Sequence, residues 1–137
     1  MAMMWNWRRV VFAALLVLVT FLTLTPNPET SEPGFALTRW LASTMFGDSQ
    51  MADKIAHFLA YGSLGACALW AGFRVISKSW GVPIMLALYG ILLEGLQGIG
   101  GVRTPELADA MANGLGAIAG YGGYALAVSF YEKVTTK

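Results

Sequence analysis

Charge is scarce in this chain of 137 residues, at 12% of the side chains, about half of the roughly 25% usual in soluble domains. The formal net charge is +1 and no basic stripe exists, which excludes a nucleic-acid partner. Cysteine occurs once, at Cys67 inside an apolar run, so no internal disulfide can form and the redox compartment is not legible. Histidine also occurs once, at His57. The chain has no HExxH motif, no cysteine pair and no G-x-S-x-G elbow around Ser63. It shows no cofactor motif, repeat or low-complexity segment either. What is abundant is apolar, with 56% hydrophobic residues and a mean hydropathy of +0.57. That balance predicts an all-α integral membrane protein of one domain, 1–137.

Read in order, the apolar runs predict four membrane-crossing helices, over about residues 8–25, 51–76, 82–99 and 105–131. Trp5, Trp7, Arg8 and Arg9 form an aromatic and basic collar before the first of them. A basic start and an apolar run also suit a signal peptide. Thr-Pro-Asn-Pro follows instead of a small-x-small cleavage site, so the segment is expected to stay as an uncleaved crossing.

A Pro- and Gly-rich loop over 26–34 leads into an amphipathic piece over 35–46. There Leu37, Leu41 and Met45 share a face with Trp40 beside them, so it is expected to lie in the interface plane. Gly47-Asp48-Ser49 offers a turn before the second crossing. Thr104 is the expected N-cap of the last helix and Pro105 its first residue. Leu107 holds the position where a capping box needs Glu or Gln, and Glu106 is read as a helix-dipole partner. Gly62, Gly65, Gly114, Gly116 and Gly120 mark close helix contact, with Gly116 and Gly120 in a small-xxx-small pattern.

Charge fixes the orientation. With the N-terminus inside, Arg8, Arg9, Arg74, Lys78, Lys133 and Lys137 are cytoplasmic, whereas only Arg39, Lys54 and Arg103 lie outside. This agrees with the positive-inside rule and returns the C-terminus to the cytoplasm.

That orientation gathers the polar residues. Asp53, His57 and Tyr61 fall at i, i+4 and i+8, along one side of the second crossing. Glu94 and Gln97 lie near the outer end of the third, Arg103 in the following loop, and Asp109 and Asn113 in the first turns of the fourth. Together with Lys54 they form one polar layer beneath the outer surface, while the inner halves stay almost purely apolar. Four helices so built offer no polar path for transport. Tyr61 and Trp70 read as packing, and Trp5, Trp7, Trp40 and Trp80 as interface anchors.

The ordered set Asp53-Lys54-x-x-His57-Phe58-x-x-Tyr61, Glu94-x-x-Gln97, Arg103, and Asp109-x-x-x-Asn113-x-x-Gly116-x-x-x-Gly120 resembles the VanZ-like family of small bacterial membrane proteins. The resemblance implies a multi-pass protein of the bacterial cytoplasmic membrane in an envelope context. The family's name comes from a member linked to resistance against the glycopeptide teicoplanin, and the resemblance implies no reaction.

Within that frame Asp53, His57, Glu94 and Asp109 form an acid–base cluster. Lys54, Gln97, Arg103 and Asn113 are then the ligand-binding groups, with the two cations on an anionic head group. A membrane lipid, including a lipid-linked anion, is the expected partner, and any reaction would use water as nucleophile. His57 with Asp53, Glu94 and Asp109 also offers donors for a hard or borderline cation, although no metal motif singles them out. In the scaffold alternative the same groups only pair with one another, and the small-residue faces meet a protein partner or a second copy.

Overall fold

The computed structural model describes residues 2–25, 36–47, 51–101 and 104–136, with side chains from Trp7 onward in the first segment. Arg103, the 26–34 loop and the turn at Asp48-Ser49 lie outside the described residues, as does the side chain of Trp5. The described chain is all-helical, with α1 (Ala2–Leu24), α2 (Ala36–Phe46), α3 (Ala52–Trp70), α4 (Gly81–Ile99) and α5 (Leu107–Thr135). Two stretches, Trp7–Leu24 in α1 and Gly81–Ile99 in α4, are long and apolar enough to cross a membrane. α3 and α5 lack that uniform hydropathy because Asp53, Lys54 and His57 open one, and Asp109, Asn113 and many glycines dilute the other.

Four boundaries differ from the sequence expectation. α1 begins at Ala2 because nothing before Trp7 breaks a helix. α3 stops at Trp70 rather than near residue 76, since Gly72 takes a left-handed φ of 72°. The Gly72 N–H donates to the Leu69 carbonyl and the Phe73 N–H to the Ala68 carbonyl, a Schellman closure. The chain then reverses through Ile76 and Ser77, with Val75 and Lys78 paired in both directions. The cap of α5 is Glu106, in extended backbone, and not Thr104, so Pro105 precedes the helix instead of opening it. A Cβ on Gly98 would collide with Pro105, which therefore seats the loop on the end of α4. At its far end α5 runs on to Thr135, through residues with ordinary helix propensity.

α2 has two unlike faces. Thr38 and Ala42 are buried, whereas Leu37, Trp40 and Met45 are exposed. The small side chains face the protein, and the large apolar ones stay outside.

The four long helices run up and down in sequence. Trp7 of α1 meets Trp70 at the end of α3, while Thr20 and Thr23 of α1 meet Tyr89 and Gln97 of α4. α3 and α5 are parallel and touch backbone to backbone. A Cβ on Gly116 would lie 2.2 Å from the Phe58 carbonyl oxygen, and one on Gly120 would lie 1.8 Å from that of Gly62. No residue other than glycine fits there at this separation. The core is Val19, Tyr61, Leu64, Ala68, Val82, Leu86 and Ala117. Outward faces stay apolar, with Val17, Phe21, Leu88, Ile91, Leu115 and Ile118 all exposed, the inverse of a water-facing surface.

Candidate functional site

The glycine seam between α3 and α5 sets which polar residues can meet. Parallel helices in backbone contact keep residue i of α3 level with a residue about one fixed interval later in α5. Lys54 thus faces Asp109, and His57 faces Asn113. The Lys54 ammonium lies 3.0 Å from Asp109 Oδ1 and 3.8 Å from Asp53 Oδ2, and also pairs with Glu106. The His57 Nε2 atom is 3.9 Å from Asp53 Oδ1. On the other side of the ring, Nδ1 is 2.9 Å from Asn113 Oδ1. An amide oxygen only accepts, so Nδ1 carries a proton and Nε2 faces the carboxylates.

Burial grades these groups. Asn113 is 0% and Asp109 1% exposed, so each must find its partners inside the protein. Lys54, Asp53 and His57 are half-buried, and Glu106 stands at the rim. One side of the cluster is thus sealed by the seam and the other is open.

The α4 residues divide. Antiparallel packing pairs Gly90 with Asn113 and Gly98 with Pro105, which brings the buried Glu94 level with Asp109. Tyr61, completely buried, lies within electrostatic reach of Glu94. Gln97 turns away, its side-chain amide donating to the Thr23 carbonyl on α1. It ties two helices together and does not join the ionic cluster.

The structure therefore assembles Asp53, Lys54, His57, Asp109 and Asn113, puts Glu94 at their depth, and directs Gln97 to α1. Two participants escape a sequence reading. Glu106 pairs with Lys54 besides standing at a helix start, and its spacing of three from Asp109 was the available signal. Thr23 enters through its backbone carbonyl, which carries no sequence signal.

An all-helical bundle with two long apolar helices and ionic groups gathered at one end defines the class: a membrane protein with a recessed ionic cluster. The particular family follows from comparison with known proteins. The VanZ/LLP1 family model matches residues 9–128, and the chain belongs to that family. No curated protein and no solved structure matches it significantly.

Proposed function

We propose that the protein crosses the bacterial cytoplasmic membrane four times, with both termini in the cytoplasm, and holds an envelope lipid head group at its outer end. The observation that carries this reading is the half-open cluster of Lys54, His57, Asp53 and Asp109, reached from the rim and surrounded by apolar helix faces. A lipid can lay its chains on those faces while its head group enters the polar layer. Lys54 and Arg103 supply positive charge for a phosphate, and His57 with Asp53 and Asp109 supplies groups able to move a proton. α1 and α4 support the crossings by hydropathy. α3 and α5 follow because helices in backbone contact beside them share the same slab.

The test is capture of a polyprenyl phosphate by the protein in phosphatidylcholine nanodiscs, read by native mass spectrometry. The wild type should retain the probe, and Lys54→Gln and Arg103→Ala should lose it while remaining folded. Equal retention by all three would refute the lipid site. A change in teicoplanin susceptibility when the gene is deleted would place the site in glycopeptide resistance.

A structural scaffold role is the alternative, favoured by one observation: three carboxylates already surround the Lys54 ammonium. On that basis Lys54→Gln and Glu94→Gln unfold the protein or lower its expression, and no lipid phenotype separates from stability.

A further inference from the structure

We infer that Asp53, His57 and Asp109 form a site for one divalent cation of hard or borderline character. One nitrogen of His57 and one oxygen from each carboxylate all lie within 4.8 Å of one another. Two ligand atoms about 2.1 Å from a shared ion can be at most about 4.2 Å apart. The 3.9 Å between His57 Nε2 and Asp53 Oδ1 already satisfies that limit, and the remaining gap closes by sub-ångström side-chain movement. The donors come from two helices locked together at glycines, so the backbone under them is fixed.

The histidine is prepared for this role by a residue outside the donor set. Asn113, wholly buried, accepts a hydrogen bond from Nδ1–H, which leaves Nε2 as the ligand atom on the side of the carboxylates. Metal-binding histidines are oriented in this way, with the second ring nitrogen donating to a fixed oxygen. One nitrogen and two hard oxygens suit Mn²⁺ or Zn²⁺ better than a thiolate-seeking ion.

Lys54 occupies the cation's place. Its ammonium lies against Asp109 and near Asp53, and its pairing with Glu106 gives it somewhere to go. The metal and the ammonium then compete for the same two carboxylates. Removing the lysine should strengthen metal binding, an effect of opposite sign to its effect on an anionic lipid. The inference therefore stands apart from the lipid reading.

The experiment is a titration of the full chain, purified in detergent and stripped with EDTA, with Mn²⁺ alone, following the free ion by electron paramagnetic resonance. Zn²⁺ then serves as competitor, and circular dichroism verifies that each variant is folded. One Mn²⁺ per chain should bind and be displaced by Zn²⁺. His57→Gln should weaken it at least tenfold, in the range that loss of ligand support produces, and Lys54→Gln should tighten it. Absence of saturable binding in both the wild type and Lys54→Gln would overturn the site. So would binding that His57→Gln leaves unchanged, or affinity that falls in Lys54→Gln. Mn²⁺ binding without capture of the polyprenyl phosphate would instead remove only the lipid reading.

Discussion

The two ends of the helical bundle treat positive charge in opposite ways. At one end the Lys54 ammonium is drawn in among Asp53, Glu106 and Asp109. At the other, cations lie on aromatic faces: Arg8 sits 5.2 Å from the centre of the Trp70 ring and Arg9 5.4 Å from that of Phe73. Trp7 meets Trp70 edge-on with centroids 4.7 Å apart, and Phe12 meets Phe73 at the same distance. An arginine over a ring keeps a hydrated edge, whereas a lysine among carboxylates is committed to specific partners. The difference is between cations packed on aromatic surface and a cation enclosed by carboxylates.

The comparison breaks most completely at the seam that creates the polar end. Gly120→Val places a side chain where even a Cβ would meet the Gly62 backbone. The helices must separate, at a cost of about 3 kcal/mol or more. We expect little folded protein on size-exclusion chromatography in detergent, while Gly123→Ala, which meets nothing within 4 Å, should behave as wild type. Next in size is Asp109→Ala. It leaves the Lys54 ammonium without its most buried partner, and a loss of about 3 kcal/mol is expected. Denaturation in mixed micelles would measure it. Asp53→Ala, which removes the longer and more exposed contact, should cost about 1 kcal/mol or less. Equal effects would mean that burial does not distinguish the two carboxylates.

Much of this end was legible in the sequence because helical spacing is a strict ruler. Asp53 and His57, and Asp109 and Asn113, are each four apart, so once both segments are helical each pair must share a face. The glycines that let the pairs meet were legible for the same reason. Directions that depend on a third helix were not. Gln97 has the spacing of a site residue relative to Glu94, yet a backbone carbonyl of α1 claims its amide, and a carbonyl leaves no mark in the sequence. The stop of α3 is a different failure. Gly72 carried the signal, but the apolar run to Ile76 outweighed it, and only the left-handed turn resolves the conflict.

The aromatic end should respond more weakly. Arg8→Ala removes the cation from the Trp70 face together with a long hydrogen bond to the Trp70 carbonyl. About 1 kcal/mol is at stake for a partly exposed pair of this kind. The thermal midpoint should fall by a few degrees, and Mn²⁺ affinity at the far end should not move. A shift in that affinity would show that the two ends are coupled through α3.

The smallest effect has the opposite sign and lies in the turn between α3 and α4. Ile76 and Ser77 both adopt left-handed backbone, at φ of 49° and 63°, as a two-residue reversal of this type requires. A β-branched residue is poorly suited to that region, where its Cβ crowds the following carbonyl. The Ile76 side chain is 92% exposed, so it gains nothing in packing to offset the strain. Asparagine tolerates the left-handed region far better. Ile76→Asn should therefore raise stability by about 0.5–1 kcal/mol, seen as an upward shift of the thermal midpoint in detergent. At the opposite chain reversal, Gly101 already meets the same demand at φ 63°, and Gly101→Ala should lower stability by a similar amount. If Ile76→Asn destabilises instead, apolar contact of the exposed isoleucine with the detergent micelle must outweigh the strain of its backbone.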